Sequence, residues 1–263
     1  YCTAGIRSGF VYFALRLLGY QNCSNYANSF KEWASDSSLA MEKLPHYEKL
    51  VSAAWVKDLI DGKNPATYTG NKFLIVEARY VSSVSMPDSA EAALVTNYIP
   101  GAISIHPCYM EHGNDTSKYY PNYTHPSDGN LLPADELQQA IADLGITKDT
   151  TVVVYGTGIG IPMSSCRVAW ALMYAGVEDV RVLDGGYPAW LSMGGATVAD
   201  PATPAPVDDF GATVPVHPEY NATTDYVKAI SEGTNTESVL VDERLLAEYI
   251  GEDVNHYTWF ETH

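Results

Sequence analysis

Positive charge is scarce in this sequence. The chain of 263 residues has 15 lysines and arginines against 32 aspartates and glutamates, which gives a formal net charge of −17. Such a surface repels phosphate backbones and anionic lipid headgroups, so nucleic acid and membrane surfaces are excluded as favoured partners. Any anion that the protein binds must be held locally, by main-chain N–H groups and one or two arginines.

Long apolar runs are also missing, and the longest, 151–155 and 168–175, are too short to cross a bilayer. With 46% hydrophobic and 18% charged residues, the composition is that of an ordinary globular protein. The acidity favours an extracytoplasmic location, periplasmic or secreted. Tripeptides of the N-x-S/T type favour it too, and they begin at Asn22, Asn114, Asn122 and Asn221.

Cysteine is rare, and its spacing argues against a metal centre. The residues of this type are Cys2, Cys23, Cys108 and Cys166, and no two of them form a C-x-x-C pair. Zinc and thioredoxin-type sites are therefore weak interpretations. The seven histidines show no ligand spacing either. We expect no metal ion and no organic cofactor.

Short apolar strands alternate with helices through most of the chain, which favours an α/β fold with a central parallel sheet covered on both faces. The strands are predicted at 73–78, 103–105, 151–155 and 180–183, with helices at 53–61, 133–144 and 164–175. Further strands are predicted at 21–26 and 238–241, and further helices at 9–18, 29–34, 223–230 and 245–250.

Segments of the chain repeat one another: 1–2 and 155–156 both precede a helix, 30–33 parallels 187–190, and 74–79 parallels 239–244. The repeat predicts three units. The first, 1–45, is the C-terminal half of a domain; the second, 46–200, is a complete domain; the third, 201–263, is a linker and the N-terminal half of another domain. A half domain leaves an apolar face exposed, so we expect a segment of a longer protein.

The middle unit carries Glu77-x-Arg79 after a strand, Ile99-Pro-Gly-Ala before the next strand, and Asp184-Gly-Gly-Tyr-Pro-Ala-Trp190 at its end. In this order the motifs resemble the rhodanese domain signature, over nearly all of residues 48–195. The resemblance implies a multi-domain sulfurtransferase with rhodanese-like domains in tandem. It also implies an active loop between a strand end and a helix N-terminus.

The same resemblance places Cys2 at the catalytic cysteine, with the substrate-binding loop formed by Thr3, Ala4, Gly5, Ile6, Arg7 and Ser8. Main-chain N–H groups and a helix N-terminus at this loop favour a thiolate. Gly5 permits a tight turn, Arg7 adds a positive charge, and Ser8 either caps the helix or donates a hydrogen bond. The alternatives for Cys2 are a structural cysteine or a lipid anchor.

The implied activity is that of a thiosulfate sulfurtransferase. Cys2 takes sulfane sulfur from thiosulfate or a polysulfide as a persulfide, and passes it to a thiol or to cyanide. The alternative is a non-catalytic sulfur carrier, scaffold or extracellular assembly protein that self-associates. The middle unit has Gly156 in place of the cysteine, so we expect it to be inactive, with Cys166 buried and Arg79 a structural partner of an acidic side chain.

Overall fold

A computed structural model describes residues 1–36, 38–42, 44–70, 72–79, 97–112, 128–157, 163–244 and 246–252. The tripeptides at Asn114 and Asn122 lie outside the described residues, as does Leu245, the first residue of one predicted helix. The chain divides into two compact units, Tyr1–Tyr47 and Glu48–His263.

The first unit contains two helices, α1 (Ile6–Leu17) and α2 (Ser29–Trp33). The strands and helices of the second unit are β1 (Leu50–Val51), α3 (Ala53–Ile60), β2 (Phe73–Ala78), β3 (Ala102–Ile105), α4 (Ala134–Asp143), β4 (Thr151–Gly156), α5 (Met163–Ala175), β5 (Asp179–Leu183), α6 (Gly186–Ser192), α7 (Thr224–Ser231) and α8 (Leu246–Tyr249). Short 3-10 helices lie at Tyr47–Lys49, Pro107–Met110 and Pro218–Tyr220.

The strands of the second unit form one five-stranded sheet in the order β1-β5-β4-β2-β3. Each described strand pair is parallel, with β4 between β5 and β2. The carboxyl ends of β2 and β4 lie side by side, because Ala78 pairs with Gly156. The predicted α/β fold with a central parallel sheet is confirmed.

Helices cover both faces of the sheet, and strand β4 shows how its side chains alternate between them. Val152 and Val154 point to the core beneath α4 and α5. Val153 and Tyr155 point to the opposite core, beneath α3 and α6. The near-continuous apolar sequence of β4 is typical of a parallel strand that is buried on both faces.

The proline-rich segment after residue 199 belongs to the second unit and is hydrogen-bonded to β3 and α4. The Ala202 N–H donates to the Ala102 oxygen at 2.8 Å, and the Val207 N–H donates to the Ala142 oxygen at 3.0 Å. Phe210 follows, and its side chain is 1% exposed in the core beneath α4.

Two predicted strands are wrong, because residues 21–26 and 238–241 are not strands. A strand is stable only where a neighbour accepts and donates its main-chain hydrogen bonds. Neither segment joins the described sheet. Val239 and Val241 are instead 85% and 74% exposed. Among the described residues, no helix combines the length and apolar character needed to span a membrane.

A buried ion pair lies on β2 and just after it. The Glu77 side chain is fully buried, and its Oε1 accepts a hydrogen bond from Arg79 Nη2 at 2.6 Å. The Ser104 hydroxyl donates to the other carboxylate oxygen at 2.8 Å. The prediction that Arg79 is a structural partner of an acidic side chain is confirmed.

We expect Glu77→Gln to lower the free energy of unfolding by about 3 kcal/mol or more, because it removes the buried carboxylate that pairs with Arg79 at 2.6 Å. A matched control is Glu178→Gln. Glu178 is 67% exposed and pairs with Lys148 at 3.2 Å, so we expect a loss of at most about 1 kcal/mol. Urea denaturation measures both, and equal losses would contradict the structural role of the buried pair.

Candidate active site

The loop before α1 is a tight turn that only glycine fits at its centre. Gly5 has φ 82° and is the N-cap of α1. A β-carbon on Gly5 would collide with the main-chain carbonyl of Ala27. Both the left-handed backbone and this close approach therefore exclude a side chain. Asn25 adds support, because its Nδ2 donates to the Gly5 oxygen at 3.3 Å.

The turn directs hydrogen-bond donors at the sulfur of Cys2. The Gly5 N–H donates to Cys2 Sγ at 3.1 Å. The hydroxyl and main-chain N–H of Ser8 and the main-chain N–H of Ala4 also favour the thiolate form of this sulfur. N–H groups in the first turn of a helix have no carbonyl partner within the helix, so they are available to the thiolate.

These donors make Cys2 acidic, since they stabilise the thiolate and not the thiol. They lower the pKa of Cys2 to about 5. The Ser8 hydroxyl is the largest cause, followed by the Ser8 N–H; desolvation opposes them, and the N–H groups of Ala4 and Gly5 add smaller contributions. Cys2 is therefore a thiolate at neutral pH.

Cys2 lines a pocket of about 450 Å³ within the first unit. Arg7 lines the same pocket. Its Nη2 donates to the Thr3 hydroxyl at 2.8 Å, which holds the guanidinium over the loop. The pocket thus combines a thiolate with a positive charge, which suits an anionic sulfur compound.

Of the remaining predicted loop residues, Ala4 and Ile6 contribute main chain to the site, whereas Ser8 also contributes its hydroxyl. Ala4 is exposed, and Ile6 begins α1 with its side chain 84% exposed. Ser8 does not cap α1, since Gly5 is the N-cap. The Ser8 hydroxyl donates to the Gly5 oxygen at 3.2 Å, and it is also the largest cause of the lowered pKa of Cys2.

Sequence reasoning missed one residue that contacts Cys2. The Cys2 N–H donates to Ser29 Oγ at 3.1 Å, and the Ser29 hydroxyl donates to the Tyr26 oxygen at 2.7 Å. The Phe30 N–H donates to the Cys2 oxygen at 3.0 Å. The only signal in the sequence was position, because Ser29 directly precedes the repeated aromatic motif 30–33.

The second unit has no thiol at the corresponding place. Gly156 ends β4, and a β-carbon there would lie 3.0 Å from Ser164 Oγ. Residues 158–162, most of the loop that follows, lie outside the described residues. The described residues around Gly156 therefore supply no sulfur nucleophile.

The prediction that Cys166 is buried is wrong, because this cysteine is exposed. Ser165, one residue earlier in α5, is 1% exposed. Successive residues of a helix point in directions about 100° apart, so Cys166 faces solvent while Ser165 faces the core. The four cysteines, all of them among the described residues, form no disulfide.

We expect Ser8→Ala to raise the pKa of Cys2, because it removes the hydroxyl that lowers this pKa most. In the wild type, the rate of Cys2 alkylation by iodoacetamide should rise through about pH 5 and level off above it. In the variant the same rise should occur at higher pH. Ser24→Ala is the matched control, since Ser24 lines the same pocket; an equal shift in both variants would contradict the assignment.

We expect Gly5→Ala to abolish the fast alkylation of Cys2 near neutral pH, because the methyl group displaces the loop from Ala27. Gly19→Ala is the control. Gly19 has φ 88°, yet an added β-carbon meets nothing within 4 Å. Gly19→Ala should therefore cost only about 1 kcal/mol of backbone strain and leave the alkylation rate of Cys2 unchanged. Normal reactivity in Gly5→Ala would refute the close approach.

Curated proteins with sequences similar to this chain are named as sulfurtransferases. Thiosulfate sulfurtransferase YnjE of Escherichia coli is 30% identical over 214 residues, which cover 80% of this chain and 43% of that protein. Thiosulfate sulfurtransferase of Rattus norvegicus is 27% identical over 208 residues, which cover 78% of this chain and 62% of that protein. The chain thus spans about half the length of these relatives.

Solved structures resemble the chain over most of its length. An anaerobic ergothioneine biosynthesis enzyme from Chlorobium limicola, in complex with trimethyl histidine, has a TM-score of 0.70 and 30% identity; the match covers 98% of this chain and 58% of that one. A variant of EanB with a cysteine persulfide, in a tetrahedral intermediate state with ergothioneine, has a TM-score of 0.70 and 29% identity, covering 99% of this chain and 59% of that one.

The family is shown by a match that lies on the parallel sheet itself. The family model of the rhodanese-like domain matches residues 48–193, which include strands β1 to β5 and helices α3 to α6. This range is more than half of the chain. The chain therefore belongs to the rhodanese-like domain family.

Proposed function

We propose that this protein is a sulfurtransferase that carries sulfane sulfur as a persulfide on Cys2. One observation carries the proposal: the Gly5 N–H donates to the Cys2 sulfur at 3.1 Å, and this loop, with Ser8 and Ala4, lowers the pKa of Cys2 to about 5. A thiolate is the nucleophilic form of cysteine, so Cys2 is reactive at neutral pH. We infer that the donor is thiosulfate or a polysulfide.

In the first step, the Cys2 thiolate attacks the outer sulfur of the donor. With thiosulfate, a bond forms between Cys2 Sγ and this sulfur while the donor's own S–S bond breaks, and sulfite leaves with the bonding electrons. The product is a Cys2 persulfide anion. Arg7 lines the pocket and attracts the anionic donor, and the loop N–H groups stabilise the persulfide charge.

In the second step, an acceptor attacks the outer sulfur of the persulfide. Cyanide gives thiocyanate and a thiol gives a new persulfide; in both cases the S–S bond to Cys2 breaks and the thiolate returns. No proton needs to move on Cys2, because the sulfur begins and ends each cycle as a thiolate. The N–H groups around the sulfur therefore stabilise the nucleophile in one step and the leaving group in the other.

The names of similar proteins support this chemistry. YnjE and the rat enzyme are both named thiosulfate sulfurtransferase. A probable 3-mercaptopyruvate sulfurtransferase of Schizosaccharomyces pombe is 30% identical over 132 residues. The similar EanB variant was solved with a persulfide on one of its cysteines. Thiosulfate is our first choice of donor, because two of these relatives carry its name and Arg7 provides a cation in the pocket.

The test is to treat the protein with thiosulfate and measure its mass. We expect a gain of one sulfur atom that cyanide reverses, and we expect Cys2→Ser to show no gain. The matched control is Cys166→Ser, which removes an exposed thiol outside the pocket and should retain the gain. Sulfur uptake by Cys2→Ser equal to that of the wild type would refute the proposal.

Thiocyanate production distinguishes an enzyme from a stoichiometric carrier. Many cycles per molecule are expected of a sulfurtransferase. A single transfer for each Cys2, followed by no further reaction, would favour the alternative of a sulfur carrier. The enzyme and the carrier both form the Cys2 persulfide. They differ only in whether the acceptor removes its outer sulfur, and so regenerates the thiolate, fast enough for turnover.

A further inference from the structure

We propose that Ser29 is a positioning residue that holds the main chain of Cys2 so that its sulfur lies among the loop donors. The inference rests on the proposed function of Cys2 as the sulfur carrier. Ser29 is the first residue of α2, lies 27 positions from Cys2 in the sequence, and is fully buried.

The orientation of the Ser29 hydroxyl matches what Cys2 requires. A serine hydroxyl has one proton to donate and two lone pairs that accept. The proton is used in the 2.7 Å bond to the Tyr26 oxygen. Only lone pairs remain on the side of Cys2, where the Cys2 N–H donates at 3.1 Å. Ser29 therefore acts as an acceptor that the Tyr26 carbonyl holds in place.

The backbone of Ser29 is in a conformation that serine rarely adopts. Its φ is 53°, in the left-handed region that favours glycine. A non-glycine residue persists there only when surrounding contacts determine its conformation, and such residues concentrate at functional sites. In α2 those contacts include the two hydrogen bonds of the hydroxyl and the bond from the Phe30 N–H to the Cys2 oxygen.

The second unit has glycine in the equivalent position. Gly186 directly precedes Tyr187 of the repeated aromatic motif, as Ser29 precedes Phe30, and its φ is 54°. A β-carbon on Gly186 would lie 2.6 Å from the oxygen of Gly156, the counterpart of Cys2. The same backbone geometry thus brings this position against the same loop residue in both units. A side chain occurs there only in the unit that has the cysteine.

The consequence is a clamp on both polar groups of the Cys2 peptide backbone. Its N–H is held by the Ser29 hydroxyl, and its carbonyl is held by the Phe30 N–H. With the backbone fixed, the Cys2 sulfur stays within 3.1 Å of the Gly5 nitrogen. Without the hydroxyl, the Cys2 N–H loses its acceptor and the residue can turn away from the donors.

The experiment compares Ser29→Gly and Ser29→Ala in the full chain. Both remove the hydroxyl, but only glycine relieves the strained backbone, so Ser29→Gly should melt at a higher temperature than Ser29→Ala. We expect both to raise the pH midpoint of Cys2 alkylation by about one unit, which is a tenfold change in the ionisation constant. If the alkylation midpoint shifted only in Ser29→Ala, the less stable variant, the shift would follow stability and not the loss of the hydroxyl. That result would overturn the positioning role.

Ser35→Ala is the matched control. The Ser35 hydroxyl donates to the main-chain oxygen of Glu32, three residues back, at 2.7 Å, just as the Ser29 hydroxyl donates to that of Tyr26. Unlike Ser29, Ser35 is exposed. We expect no shift of the midpoint. Alkylation is measured by mass spectrometry of the peptide that contains Cys2, because Cys23 lines the same pocket. An equal shift in Ser35→Ala would also overturn the proposal.

The alkylation midpoint needs no sulfur donor, so the two proposals fail separately. If the wild type takes up no sulfur from thiosulfate while both Ser29 variants shift the midpoint, sulfur transfer is refuted and the clamp on Cys2 stands. If sulfur uptake occurs and the midpoint is the same in the wild type and in Ser29→Gly, the clamp is refuted and sulfur transfer stands. Arg7 lines the pocket of Cys2 and is unchanged in every variant, so its charge does not distinguish them.

Discussion

The convergence of hydrogen-bond donors on one sulfur is the constraint on which the first unit depends. The chain has a net charge of −17, so a thiolate has no long-range attraction to stabilise it. The causes that lower the pKa of Cys2 are hydrogen bonds from Ser8, Ala4 and Gly5, and none of them is a charge–charge interaction. Hydrogen bonds at contact distance are screened by salt far less than exposed charges are. The acidity of Cys2 is therefore a property of the loop backbone and of one hydroxyl, and it should persist at high ionic strength.

Local donors are effective only if the backbone that bears them is held in place. Gly5 satisfies this requirement by its left-handed conformation, which lets the loop pack against the Ala27 carbonyl. The start of α2 also holds the backbone in place. The Phe30 N–H donates to the Cys2 oxygen, and the Cys2 N–H donates to the Ser29 hydroxyl oxygen. Position 186 has the backbone conformation of position 29 but carries no side chain. The backbone conformation at this one position is thus common to both units, while the nucleophile and its serine occur in one, as expected where function depends on a site and not on a fold.

The parallel sheet could be predicted because its pattern is local. Buried strands such as β4 are continuous apolar runs, and in the helices between them apolar residues recur at the helical spacing of three or four positions. The strands predicted at 21–26 and 238–241 failed for the opposite reason, since pairing depends on a neighbour that no local pattern reveals. Cys166 was misplaced because the side of a helix that faces the core is set by packing. Cys2 was found through the family motif, whereas Ser29 could not be found, because a hydrogen bond across 27 positions leaves no periodic signal.

The described surroundings of Gly156 in the second unit differ from those of Cys2 by more than one residue. Gly156 ends a strand whose neighbours are already close: a β-carbon there would lie 3.0 Å from the Ser164 hydroxyl oxygen. The Gly186 position offers no acceptor to the Gly156 N–H, since glycine has no side chain. A cysteine at position 156 would therefore lie close to the Ser164 hydroxyl and would lack the clamp that Cys2 has in the first unit. Because thiolate chemistry needs the nucleophile and its support together, a thiol placed at position 156 alone would still lack the serine that holds the Cys2 backbone in the first unit.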